Sequence, residues 1–179
     1  MNCWRALDAA ARLAEAGQLT GTGQRWRAEA DVINTWVNEH CWSDTKKAYT
    51  FYAGSDELDA SVLIGAQIGF DDGERMSSTI DAISSELGAG PLLYRYTGAR
   101  CEEETFIACA FWRVHALTCV GRVDEARDLM DQLQVVFNPL GLMSEMSAPG
   151  GELVGNVPQA LSHLTFIRAA AALRDAEAT

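Results

Sequence analysis

Apolar residues recur at helical spacing along nearly the whole chain, and the segments between them alternate between short and long. A repeat near 3.6 residues makes each segment an amphipathic helix that must bury one face against a neighbour. Trp4, Leu7, Ala11 and Ala14 line a first helix over roughly 2–17, and Trp26, Ala30, Ile33, Trp36 and Val37 a second over roughly 24–40. Leu58, Val62 and Ile68 mark a third, roughly 56–69, for which Ser55 or Asp56 is the expected N-cap. Met76, Ile80, Ile83 and Leu87 mark a fourth, roughly 74–88. The fifth runs from about Glu103 to Val120 and is apolar on most sides. Ala126, Leu129, Met130, Leu133 and Val136 define a sixth, roughly 122–137, and Ala160, Leu161, Leu164, Ile167 and Ala171 a seventh, roughly 157–175. Only YTFY at 49–52 and LLYRY at 92–96 suit short extended pieces.

The connections say more than the helices. Helices three and four are joined by GFDDG, and five and six by little more than Gly121. The links 41–55, 89–102 and 138–156 are long. In an up-down array every second connection lies at the same end, so the long loops should gather there. Loops beyond about twelve residues in a compact domain are usually functional. The hairpins recur about every 48 residues, from GSDE at 54–57 to EEET at 102–105. That spacing does not fit a 34-residue tetratricopeptide repeat, although GRVDEARDLMDQL has a similar cadence. Helices five and seven are more apolar than four and six, which suits an inner ring of buried helices inside an outer, half-solvated one.

The formal net charge of -11 argues against a nucleic-acid or anionic-membrane partner, since both need a basic surface. No run of about eighteen apolar residues exists, so no transmembrane helix is expected. Arg5 and Asp8 interrupt the apolar core that a secretion signal would need. The five cysteines, Cys3, Cys41, Cys101, Cys109 and Cys119, form no CxxC pair and predict reduced, mostly buried thiols in a cytoplasmic protein. No metal site is expected: His40-Cys41 has no second ligand pair at a finger-like spacing.

The long loops carry the candidate chemistry. Glu57 and Asp59 lie near the positive end expected for the third helix, either as dipole acids or as acids lining a site. In the second loop, Tyr94, Tyr96, Phe106 and Trp112 interleave with Arg95, Arg100 and the run Glu102-Glu103-Glu104. Three consecutive glutamates also suit a helix start or a solvated charge run. Rings beside acids and arginines suit a sugar, whose C–H face stacks while its hydroxyls need polar partners. In the third loop, LGLMSEMSAPGGE, Glu145 stands alone among small and apolar residues. It is either a surface glutamate or a candidate general base.

Four segments together resemble the C-terminal half of bacterial glycoside hydrolase family 15 proteins, the glucoamylase and trehalase group. They are MNCWRALDAAARLAE, YAGSDELDASVLIGAQIGF, LLYRY followed by EEETFIACAFWRVHALTCVGRVDEARDLMDQL, and NPLGLMSEMSAPGGELVGNVPQALSHLTFI. The resemblance implies an all-α fold, a partial (α/α)6 toroid of antiparallel helical hairpins with about seven helices. It implies hydrolysis of α-glucosidic bonds with inversion, by two carboxylic acids and no cofactor. Ser144-Glu145 matches the family's base motif, making Glu145 the general base. It implies substrate contacts from Arg100, Glu103, Glu104 and Phe106, from Trp112 further along, and a place for Asp59 either behind the contacting residues or in a subsite. The substrate would be an α-glucoside: maltose, trehalose or an α-glucan.

Two motifs depart from the family: Met146-Ser147-Ala148 stands where an EEYD-like run is usual, and EEET replaces GEGT. The family's general acid precedes the segment resembling MNCWRALDAAARLAE. Residues 1–179 are therefore expected to be the C-terminal part of one catalytic domain, lacking the N-terminal part with the acid and independent activity. Its partners would be that missing part or a second copy covering the open edges. The alternatives are a non-catalytic helical-repeat interaction module and a carbohydrate-binding remnant.

Overall fold

The computed structural model describes residues 1–137, 139–148 and 150–178. Among them the helices are α1 Asn2–Glu15, α2 Gly23–His40, α3 Ile64–Gln67, α4 Glu74–Leu87, α5 Ile107–Cys119, α6 Val123–Gln132 and α7 Ala160–Glu177. The chain is all-α, and its strands are two-residue pieces in the loops.

The core sits around α5, which packs against α3, α4, α6 and α7. Its sequence, IACAFWRVHALTC, is small or apolar on every face, and nine of its thirteen residues are buried. Phe111 is fully buried and meets the ring of Phe166 on α7 edge-on, with centroids 5.4 Å apart. The one buried cation on α5 is Arg113, whose Nη2 donates to the Pro91 carbonyl at 2.8 Å. Burial lowers its pKa to about 10, so the guanidinium stays charged at neutral pH. The reversal from α5 to α6 passes through Gly121 at φ 79°, a left-handed conformation that a side chain would strain.

The hairpin of α1 and α2 is built differently. The two helices pack mainly on each other. Asp8, buried on α1, is bonded by Arg5 at 3.2 Å, by Arg12 at 3.0 Å and by Arg27 of α2. Val32 and Trp36 on α2 face solvent, as do Leu161, Leu164 and Ile167 on α7.

Several expectations need correction. The third helix does not begin near residue 56. Residues 56–59 are extended, a 3₁₀ turn spans Ala60–Leu63, and α3 is one turn long. The cap is neither Ser55 nor Asp56: Asp59 accepts from the Ser61 amide at 2.6 Å. Ser55 instead receives the Glu57 amide, and Asp56 the Ser43 hydroxyl. The three glutamates do not open helix five, which starts at Ile107 after a short strand. The thiols are not mostly buried: all five are free, Cys109 is buried, and Cys3 and Cys101 are exposed. Of the two expected extended pieces, only Ala48–Tyr49 (β2, paired with Trp42–Ser43, β1) and Leu92–Leu93 (β4, paired with Gly88–Ala89, β3) form strands. Asn138 and Pro149, within the third long loop, lie outside the described residues. Among the described residues, no helix is long and apolar enough to cross a membrane.

Candidate active site

The three long loops meet, and main-chain hydrogen bonds join them. Between the first two, Ala60 N–H donates to the Arg95 carbonyl at 2.7 Å and Thr97 N–H to the Leu58 carbonyl at 3.0 Å. Asp59 and Tyr96 thereby form an antiparallel bridge. Between the second and third loops, Thr105–Phe106 (β5) pairs with Met146–Ser147 (β6), which pairs with Leu153–Val154 (β7). Each loop feeds the start of a helical segment at Ala60, Ile107 or Ala160. The expected gathering of long loops is thus observed.

Glu145 sits one residue before β6. Its carbonyl accepts the Ile107 amide at 3.2 Å, and its own amide donates to the Asn156 carbonyl at 3.0 Å. The half-buried carboxylate accepts from Asn156 Nδ2 at 2.8 Å. Gly155 makes this approach possible. Its φ is 79°, and a Cβ there would lie 3.1 Å from both Glu145 Cβ and Oε2. Behind the acid, buried Ser144 donates to the Met146 carbonyl at 2.6 Å and receives the Ser162 hydroxyl on its own carbonyl at 2.8 Å. His163 Nδ1 donates to the Gln159 carbonyl at 2.7 Å, which leaves Nε2 to accept the Met143 amide at 3.3 Å. The loop that carries Glu145 is therefore fastened to the first turn of α7 by Ser162 and His163.

A cleft of about 450 Å³ lies beside this strand, lined by Arg100, Glu102, Glu103, Glu104, Met146 and Val154 among others. It brings together Arg100, Glu103 and Glu104 of the expected contacts, next to Met146, the neighbour of Glu145. The three glutamates differ. Glu102 accepts the Tyr96 hydroxyl at 2.8 Å, and this bond holds the phenol pKa above its ordinary value. Glu103 takes a two-pronged ion pair from Arg95, which raises the already high pKa of that guanidinium. Glu104 is half-buried and receives no hydrogen bond among the described residues. It is the member of the run left available to a ligand. Arg100 lies over the Tyr94 ring and donates to the Gly88 carbonyl at 3.1 Å.

Three expected contacts lie outside the lining of this cleft. Phe106 pairs with Met146 and carries Arg95 on its face, 5.4 Å from the ring centre. Trp112 lies further along α5 and packs against the core. Asp59 serves as the cap already described. Reading the sequence alone missed Asn156, the partner of Glu145, although Gly155-Asn156 beside Pro158 is a turn-like signal. Among the described residues no cluster of His, Cys, Asp and Glu could hold a metal ion.

An array of helical hairpins whose long loops converge on carboxylates is an architecture used by α-helical glycosidases. Solved structures agree on the fold. A glycosidase variant in complex with glucose superposes with a TM-score of 0.80 at 16% identity, covering 96% of this chain and 50% of that one. A second glycosidase variant gives 0.79 at 17% identity over 94% of this chain and 49% of that one. Both are of the (α/α)6 type. Residues 1–135 match the family model of Glycosyl hydrolases family 15. The chain belongs to that family. It is 39% identical over 176 residues to a trehalase of Mycobacterium tuberculosis, covering 93% of this chain and 26% of the relative. A trehalase of Thermoplasma volcanium is 32% identical over 180 residues, 97% of this chain and 29% of the relative. The chain thus spans between a quarter and a third of the length of these relatives.

Proposed function

We propose that residues 1–179 form the base-bearing, C-terminal part of a catalytic domain that hydrolyses an α-glucosidic bond, of the trehalase or glucoamylase type. The observation that carries this reading is the anchoring of Glu145. Main-chain bonds from Ile107 and Asn156 hold it next to Met146, which lines a cleft with Arg100 and with Glu104, a carboxylate that receives no hydrogen bond among the described residues. Glu145 is the general base: it takes a proton from water as the water attacks the anomeric carbon. Inversion needs a general acid about 6.5–9.5 Å away to protonate the leaving oxygen. In this reading the acid comes from an N-terminal part of the same domain, and residues 1–179 alone do not turn over. The exposed apolar residues on α2 and α7 are covered by that part or by a second copy of the chain. A non-catalytic helical scaffold accounts less well for the loops, because a scaffold does not require them to converge.

The test is glucose release from trehalose and maltose by residues 1–179 alone, then with the N-terminal part supplied. Activity should depend on the second part, and Glu145→Gln should lower it by about 10²–10⁴. The first-formed anomer, read by NMR, should be inverted. Undiminished turnover by the Gln variant removes Glu145 from the mechanism. Turnover by residues 1–179 alone removes the need for a second part.

A further inference from the structure

A second cleft, of about 320 Å³, opens between α4, α5 and α6. Residues of α1, α2 and α7 do not line it, and nothing in the chemistry described for Glu145 uses it. Its apolar wall is Ile80 of α4, Leu117 of α5 and Leu129 of α6, all buried. Arg113 lines the same cleft and is only 7% exposed. A guanidinium carries several N–H donors. Among the described residues the Pro91 carbonyl is the one acceptor that this guanidinium has, and its buried Nε has none. No carboxylate pairs with it among those residues, and burial alone pulls its pKa down. A buried cation without a counter-charge is costly, yet this one sits on the helix at the centre of the core.

The other charges around the cleft are already matched. Arg122 pairs with Asp81 of α4 at 2.7 Å and with Glu125 of α6 at 2.6 Å, and it reaches the Ser77 carbonyl of α4 at 3.3 Å. It therefore spans the two helices and takes both acids, which leaves Arg113 as the unmatched charge of the lining. The Ser84 hydroxyl and the Gln132 amide also line the cleft and make no side-chain hydrogen bond among the described residues. An unmatched guanidinium beside an apolar wall and two free polar groups fits an anion with an apolar body. The fork of a guanidinium takes both oxygens of a carboxylate. Asp81 and Glu125 set the charge of the ligand, because they repel a dianion such as phosphate more than a monoanion.

We propose that the cleft between α4, α5 and α6 is a binding site for a small monocarboxylate, held by the guanidinium of Arg113 with its apolar body against Ile80, Leu117 and Leu129. The ligand supplies the counter-charge that the fold leaves out at Arg113, and by binding the folded chain it stabilises it. The site is independent of the glucoside chemistry and stands or falls without it.

Residues 1–179 would be melted in a carboxylate-free zwitterionic buffer with benzoate, benzamide or phosphate at equal ionic strength, and benzoate binding measured by calorimetry. Benzoate should raise the melting midpoint in a saturable way, with one site per chain. Benzamide, which has the same shape without the charge, and phosphate should not. Arg113→Met replaces the buried charge by an apolar side chain, so the variant should melt at or above the parent in buffer alone and lose the benzoate shift. Arg113→Lys should bind benzoate roughly tenfold more weakly, because a point charge replaces the fork. The proposal is overturned if benzoate leaves the midpoint unmoved, if benzamide or phosphate raises it as much, or if Arg113→Met keeps the benzoate shift. Should Arg113→Met fail to fold, the Nε–H resonance of Arg113 in the parent decides. It should move with benzoate along the calorimetric titration curve, and an unmoved resonance overturns the site.

Discussion

Helices α5 and α2 belong to one fold, yet they are held by different forces. Nine of thirteen residues on α5 are buried, against two of eighteen on α2, Ala30 and Val37. Around α5 the adhesive is close apolar packing. In the α1–α2 hairpin a buried acid gathered by three arginines supplements a thin apolar seam. The first kind of contact is indifferent to pH and salt, and the second depends on both.

Substitutions at each place would sharpen or break that contrast. Phe111→Ala removes a fully buried ring packed on Phe166 and should cost about 3–5 kcal/mol, read from the urea midpoint. A loss below about 1 kcal/mol would mean that α5 is not the centre of the core. Asp8→Asn should cost less, about 1–3 kcal/mol, because the arginines around it reach solvent. Burial alone would raise the Asp8 pKa, but hydrogen bonds from Arg27 and Arg12 outweigh it and leave it below 3.8. A depressed folded-state pKa contributes stability that is complete above the unfolded value and disappears as pH falls through the folded one. Hydrogen exchange in α1 and α2 should therefore quicken below about pH 3.8 before α5 loosens, and Asp8→Asn should flatten that response. Gly155→Ala forces a side chain into a left-handed position against Glu145 and should cost about 1–2 kcal/mol. Leu164→Ser, on the exposed face of α7, should change stability by no more than about 0.5 kcal/mol while lowering any concentration-dependent association seen in sizing.

Periodicity made the helices legible because helical contacts are local: α1, α2, α4 and α6 begin within two residues of where the apolar spacing places them. It failed at the third and fifth helices. There Leu58 to Ala60 and Thr105–Phe106 leave the helical path to pair with Arg95 to Thr97 and with Met146–Ser147, partners roughly 40 residues away. No window of sequence contains such a partner. The site was legible in the same uneven way. Glu145 stood out by its isolation, and the glutamate run by its charge. Which glutamate stays available was decided by Arg95 and Tyr96 folding back from earlier in the loop. The Asp8 cluster left a partial trace, Arg5 and Arg12 at helical spacing from it, but the third arginine comes from the next helix.

The loops are joined through their main chains, and that has a consequence for how this family can diverge. A peptide group pairs in the same way whatever side chain it carries. The strands that present Glu145 and Glu104 therefore tolerate replacement at the positions between them, provided Gly155 keeps its backbone freedom. Met146 and Ser147 on one side and Thr105 of the EEET run on the other enter the three-stranded frame through their main chains. Such a frame lets specificity drift through side chains while the geometry of the acid is inherited through the backbone.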